Sequence, residues 1–206
     1  MNNELIKRIL SSIILIPLAL YFILHGSFML LFFTAVCFFV ASYEWHVMTK
    51  KKPYYFYGFI FLALSFYTFY YASINFFGVF FVISVCVSTD IGGYIFGKIF
   101  KGPKLTKISP NKTYAGMIGG YFLSLIFLTM LTNLINYPTT PTRYFVIVLI
   151  LSTVSQIGDI IISYFKRLSK VKNTGKIIPG HGGLLDRIDG MIFAFPIFYL
   201  VELMGF

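Results

Sequence analysis

Seven stretches of this chain are apolar for about the length that crosses a lipid bilayer, and no other feature restricts its fold so severely. A helix needs roughly 20 mostly apolar residues to traverse ~30 Å of hydrocarbon. Candidates lie near residues 9–25, 27–43, 54–72, 76–97, 114–135, 143–163 and 187–205. In lipid every backbone N–H and C=O must find a partner within its own segment or barrel, so runs of this length predict an all-α polytopic membrane protein of about seven transmembrane helices. The joint between the third and fourth stretches, residues 72–75, is short, and six or eight spans is the alternative count. The first stretch follows Lys7 and Arg8 as a signal peptide would, but it runs into the second without a small-residue cleavage site and is read as a retained span.

Composition excludes the other broad classes. The 206 residues are 58% hydrophobic and only 12% charged, with a mean hydropathy of +0.82, far from a soluble domain or a disordered chain. Two cysteines, Cys37 and Cys86, each inside an apolar run, cannot make a disulfide scaffold and are read as reduced packing residues. The net charge of +10 raises the possibility of nucleic acid, but no nucleic-acid-binding motif accompanies it, and its distribution has another cause. With seven spans and the N-terminus in the cytoplasm, 16 of the 17 basic residues fall on one side: Lys7, Arg8, Lys50, Lys51, Lys52, Lys98, Lys101, Lys104, Lys107, Lys112, Lys166, Arg167, Lys170, Lys172, Lys176 and Arg187. Only Arg143 falls outside, so the positive-inside rule supports both count and orientation and puts the C-terminus outside. The chain is read as one integral membrane domain, residues 1–75 supplying N-terminal spans and 76–206 the catalytic core spans and cytoplasmic loops.

Of seven acidic residues, Glu4, Glu44 and Glu202 sit at the chain start, a span end and the far end, where a solvated role is expected. The four aspartates fall at one depth. Asp90 lies seven residues from the inner end of the fourth stretch, ~10 Å inside the boundary, and Asp159 has a similar place in the sixth. Asp186 and Asp189, three residues apart, share a helical face where the seventh begins. A carboxylate in hydrocarbon costs at least ~2.5 kcal/mol, so this group requires a polar cavity near the cytoplasmic boundary and partners within it. Clustered Asp oxygens are hard ligands suited to Mg2+ together with substrate phosphates. The bland alternative pairs each Asp with a neighbouring base, such as Asp159 with Lys166 or Asp186 with Arg187.

Phosphate chemistry surrounds them. Asp159, Ser163, Lys166 and Arg167 recur on one helical face. Pro179-Gly-His-Gly-Gly183 then runs into the next helix start, where free N–H groups attract anions, although a plain turn explains the glycines equally well. Lys107-Ile-Ser-Pro-Asn-Lys-Thr113 adds the Ser109 and Thr113 hydroxyls beside Lys112, or simply caps a helix. His181 could bond a phosphate or cap the bend; zinc is disfavoured because no Cys or second His lies near it.

These residues resemble the phosphatidate cytidylyltransferases, also called CDP-diacylglycerol synthases. The resemblance rests on Ser163-Tyr-Phe-Lys-Arg167, Lys172, Gly175 and Ile178-Pro-Gly-His-Gly-Gly-Leu-Leu-Asp-Arg-Ile-Asp189. Ser155-Gln-Ile-Gly-Asp159, Asp90-Ile-Gly-Gly-Tyr94 and Ser109-Pro-Asn-Lys-Thr113 extend it over roughly residues 88–190. Asn173, Ala115 and Ile162 depart from the family pattern, each where a carboxylate is usual, and the chain is shorter than many members. The resemblance implies that CTP and phosphatidate give CDP-diacylglycerol and pyrophosphate at a bacterial inner membrane, the site facing the cytoplasm, with Mg2+ and, as a further family expectation, a monovalent cation such as K+. It implies that Asp159, Asp186 and Asp189 hold the metal and that Lys112, Lys166, Arg167 and Arg187 offset phosphate charge, with Asp90 a metal or lysine partner. Ser109, Thr113, Ser163, Lys172, His181, Gly182 and Gly183 would contact substrate, and a homodimer is a further family expectation. The rival functions are a CTP-dependent lipid-alcohol kinase and, from another class, an ion or phosphate transporter.

Overall fold

The computed structural model describes residues 3–135, 140–180 and 182–205, and among them the secondary structure is entirely helical apart from two isolated β-bridges. Helices occupy all seven apolar stretches: α1 Asn3–His25, α2 Ser27–Thr49, α3 Tyr55–Ala72, α4 Phe76–Phe100, α5 Tyr114–Ile135, α6 Pro141–Leu168 and α8 Met191–Leu203. A single turn, α7 Leu185–Ile188, precedes the last. Four helical segments are long and apolar enough to cross a membrane by themselves: Phe28–Thr49, Phe76–Phe100, Tyr114–Thr132 and Thr142–Leu168. This is an α-helical membrane protein.

The breaks have local causes. Gly26, at φ 57°, separates α1 from α2, and Lys51 at φ 74° turns the chain after α2. The short joint before α4 is a real terminus, because the Asn75 side chain accepts a hydrogen bond from the Phe77 N–H at 3.1 Å and caps the new helix. The last predicted stretch is not one continuous helix. It is divided between α7 and α8 at Asp189 and Gly190; Gly190 packs so closely on α6 that a Cβ would collide with the Ser155 hydroxyl, and Asp186 lies within α7 with Asp189 just after its end.

Two apolar clusters hold the bundle together. Val79, Val82, Leu128, Leu151 and Phe195 join α4, α5, α6 and α8, while Trp45, Leu62, Ile162, Leu185 and Ile192 join α2, α3, α6, α7 and α8. Helices α6 and α8 belong to both. Large apolar side chains such as Phe28, Phe56, Ile60, Ile118 and Met130 face outward, as a lipid-facing surface requires.

Helices α4 and α5 cross with backbone nearly touching backbone. Gly92 and Gly93 of α4 lie against Gly119 and Gly116 of α5; a Cβ on Gly116 would come 2.7 Å from the Gly93 carbonyl. Small residues at such crossings permit the close approach that drives helix association in lipid. The crossing brings the start of α5, and the loop before it, beside the Asp90 end of α4. Gly92→Leu should therefore destabilise the bundle by ~1–3 kcal/mol or more through overpacking. A lowered thermal midpoint in detergent micelles checks this, with the lipid-facing Ile118→Leu change as an unaffected control; equal midpoints would contradict the close crossing.

Candidate active site

The loop between α4 and α5 is folded back on itself. Leu105 N–H donates to the Lys112 carbonyl at 2.7 Å, Lys112 N–H to the Ser109 carbonyl at 3.0 Å, and Tyr114 N–H to the Pro103 carbonyl at 3.2 Å. Thr113 caps α5, its hydroxyl oxygen accepting from the Gly116 N–H at 3.1 Å. This hairpin delivers the Lys112 ammonium to Asp159 of α6, an ion pair of 2.5 Å with side chains 23% and 31% exposed. The other Asp159 oxygen accepts a hydrogen bond from Ser163, one turn along α6, at 3.3 Å. Asp90 and Asp189 lie within electrostatic reach of Asp159 and of Lys112. Three carboxylates from α4, α6 and the α7–α8 junction thus share one electrostatic environment.

Asp186 is placed differently. One oxygen receives the Lys166 ammonium at 2.9 Å, and the other accepts the backbone N–H groups of Thr174 at 2.9 Å and Gly183 at 3.1 Å. Both side chains are nearly enclosed, 11% exposed for Lys166 and 6% for Asp186. The glycine run makes this possible, since Gly182 stands at φ 89° with space for a Cβ only 2.9 Å from the Asp186 oxygen. Among the described residues no three His, Cys, Asp or Glu side chains converge into a ready metal cage.

A third acidic group enters from the N-terminal helices. Glu44 of α2 is 1% exposed. It accepts hydrogen bonds from the Thr174 hydroxyl at 2.9 Å, the Leu184 N–H at 2.8 Å and the Leu185 N–H at 2.9 Å. Next to it, Trp45, Tyr54, Phe61, Ile162, Phe165 and Leu185 line an apolar cavity of about 200 Å³. Ile162 and Phe165 are chain neighbours of Ser163 and Lys166, and Leu185 precedes Asp186, but the cavity is lined by aromatic, aliphatic and glycine residues and by none of the charged ones.

Comparison with known proteins gives this constellation its family. The profile of the Cytidylyltransferase family matches residues 54–204, about three quarters of the chain. The chain belongs to that family. Among relatives, the phosphatidate cytidylyltransferase of Staphylococcus aureus (strain COL) is 44% identical over 110 residues, which is 53% of this chain and 42% of that protein. The phosphatidate cytidylyltransferase of Brucella suis biovar 1 (strain 1330) is 42% identical over 124 residues, 58% of this chain and 44% of the relative. That of Staphylococcus saprophyticus is 43% identical over 110 residues. The aligned part spans less than half the length of each of these proteins.

Within the cytidylyltransferase framework, the structure sorts the residues singled out from sequence. Asp90, Lys112, Asp159, Ser163, Lys166, Arg187 and Asp189 belong to one neighbourhood. Asp186 adjoins it through Lys166. Neither local pairing considered for the aspartates is the one observed: Asp159 takes Lys112 rather than Lys166, and Asp186 takes Lys166. Arg167 leaves its helical stripe, donating to the Val171 carbonyl at 3.5 Å from an exposed position, and Lys172 is exposed. Ser109 lies in the hairpin turn, its N–H donating to the Thr106 hydroxyl oxygen at 3.1 Å. His181 lies outside the described residues.

Glu44 is the residue misplaced by sequence reasoning. It was expected in solvent because the second apolar stretch was ended at residue 43. Helix α2 instead continues to Thr49, which carries Glu44 into the packed interior, at the inner end of the bundle with the aspartates. Applying the same burial cost to Glu44 would have found it.

Removing one partner of an enclosed ion pair strands the other charge. Lys166→Met should cost about 3–5 kcal/mol of stability. The double change Lys166→Met with Asp186→Asn should recover a substantial part, as read by unfolding midpoints in detergent; no recovery would mean that the two side chains do not act as a pair.

Proposed function

We propose that this member of the cytidylyltransferase family transfers the cytidylyl group of CTP to phosphatidate, giving CDP-diacylglycerol and pyrophosphate. The carrying observation is the gathering of Lys112 with Asp159 and of Lys166 with Asp186, since cations that can meet phosphate oxygens then stand beside carboxylates that can hold a metal. The names of the relatives support the same substrate. In this reaction an oxygen of the phosphatidate phosphate attacks the α-phosphorus of CTP. A new P–O bond forms, the α–β bridging P–O bond breaks, and its electron pair leaves with pyrophosphate. No protein nucleophile is needed, and the protein's work is to align the groups and offset their charge.

Lys112, Lys166 and Arg187, standing among the carboxylates, are suited to meet phosphate oxygens, with Arg167 and Lys172 at the exposed edge as contacts for incoming nucleotide. Ser109, Thr113 and His181 are assigned to the same approach. Ser163, buried beside Asp159, is positioned to orient it. Asp159 and Asp189, with Asp90 near them, fit magnesium in its usual mode of one or two carboxylates plus substrate phosphates, which needs no three-carboxylate cage. When bound there the ion would supply charge neutralisation at the phosphates. Asp186 joins such a set only by exchanging its Lys166 and backbone partners, so its role is assigned to holding the Gly182–Gly183 backbone in place. A monovalent cation such as K+ and a homodimer belong to the same proposal.

The orientation follows from charge. Seven spans with the N-terminus inside put 16 of 17 basic residues on the cytoplasmic side, where CTP is dissolved, and the bacterial relatives favour the inner membrane. A polar cavity at that boundary would admit CTP from water and the lipid headgroup sideways.

Pyrophosphate release by the purified protein in micelles should require CTP, phosphatidate and Mg2+ together, with CDP-diacylglycerol as the lipid product. Release of CDP and a lipid phosphate from a lipid alcohol would replace this reading with a kinase. Asp159→Asn should lower kcat by about 100-fold or more while the protein stays folded, the order of effect seen when an electrostatic group is removed from an active site. Full turnover in that variant would remove Asp159 from the mechanism.

A further inference from the structure

Glu44 lies outside the part of the chain that the family profile matches, yet it reaches the loop that carries the glycine bend. A carboxylate that is 1% exposed is tolerable only when its oxygens are met by donors. Here Oε1 accepts from the Leu184 N–H, and Oε2 accepts from the Leu185 N–H and the Thr174 hydroxyl. All three donors come from the segment that also supplies Asp186. The surrounding backbone is shaped to admit the carboxylate. A Cβ on Gly175 would stand 2.6 Å from Glu44 Oε1, and one on Gly183 would collide with Oε2 and with the Thr174 hydroxyl.

Thr174 links the two buried acids. Its hydroxyl donates to Glu44 and its backbone N–H to Asp186. Gly183 N–H donates to Asp186 while its Cα packs on Glu44. The segment is therefore gripped from opposite sides, by Glu44 on α2 and by Asp186 with its Lys166 partner on α6. We infer that Glu44 is a positioning residue of the active site: it pins Thr174, Leu184 and Leu185, and through them fixes Asp186, Lys166 and the glycine backbone where the phosphates are handled. The catalytic consequence rests on the cytidylyl-transfer reading; the pinning itself does not.

The grip ties down a stretch whose exposed Lys172 and Lys176 offer trypsin sites. In Glu44→Gln one oxygen becomes an amide donor facing N–H donors, so local opening should become easier. Native-state tryptic cleavage at Lys172 or Lys176 of the full chain in micelles should rise by ~10-fold or more, with cleavage at Lys50–Lys52 little changed. The same variant should lose ~10-fold or more in kcat at saturating CTP and phosphatidate, and Glu44→Asp, which keeps both oxygens, should restore part of each effect. Thr174→Val, which removes one bond and keeps the shape, should shift cleavage in the same direction by less, and it serves if Glu44→Gln does not fold. Unchanged cleavage at Lys172 and Lys176 would overturn the inference, as would an equal rise at Lys50–Lys52, which reports general loosening. Increased cleavage with unaltered kcat would confine Glu44 to the fold and remove its positioning role. If the wild-type protein shows no cytidylyl transfer, the functional reading fails while the cleavage comparison still decides whether Glu44 pins the loop.

Discussion

A carboxylate enclosed in this apolar bundle has to be matched by donors, and that requirement ties the loops to the helices. The cost of leaving an acid unmatched in a low-dielectric interior is several times a typical hydrogen bond. Asp159 is therefore met by Lys112 and Ser163, Asp186 by Lys166 and two backbone N–H groups, and Glu44 by a hydroxyl and two more. The donors come from segments far apart in sequence, and each pairing ties one loop to one helix. The hairpin before α5 is held to α6, and the glycine-bearing segment is held to both α2 and α6.

Glycine serves two separate purposes in this arrangement. Between α4 and α5 it removes side chains so that two helices can touch, which fixes where Lys112 emerges relative to Asp159. In the segment before α7 it removes side chains so that donors can reach carboxylate oxygens, the Gly183 N–H toward Asp186 and the Thr174 hydroxyl, beside Gly175, toward Glu44. A backbone that can approach a carboxylate this closely can also approach a phosphate, so the packing need and the chemical use point to the same residues.

The helical architecture was legible because a membrane allows few solutions: apolar length placed a helix in each of the seven stretches, and among the described residues four segments are long and apolar enough to cross a membrane. The depth argument likewise found Asp90, Asp159 and Asp189. What it could not give was pairing. Lys112 and Asp159 are 47 positions apart and Lys166 and Asp186 are 20 apart, and neither separation follows a helical period, so the local partners suggested by spacing were not those the fold selects. The break before Met191 was hidden because the apolar run that follows was extended back to residue 187, through Asp189 and Gly190, which keep helical dihedrals. Glu44 was lost through a boundary drawn about one and a half turns too early. Arg167 shows the converse limit, since a residue can share a helical stripe with site residues and still turn toward its own loop.

The three departures from the family pattern can be weighed by where they fall. Ile162 is 3% exposed and lines the apolar cavity between Trp45 and Phe165, so a carboxylate there would place an uncompensated charge against aromatic rings. In this chain an apolar residue at that position belongs to the apolar lining. Asn173 lies next to Gly182 and immediately before Thr174, where the nearby Asp186 already accepts the Thr174 and Gly183 N–H groups; a neutral amide there avoids a second negative charge beside an acid whose donors are committed. Ala115 follows the Thr113 cap on α5, adjoining the crossing with Gly93 and Gly97, and its small side chain is compatible with the close approach of α4. Each lost carboxylate thus falls where its own surroundings accommodate a neutral side chain, while the acids that meet Lys112 and Lys166 are retained. The acids that meet Lys112 and Lys166 keep their cations with fewer negative groups beside them, a balance that would favour the binding of CTP proposed above.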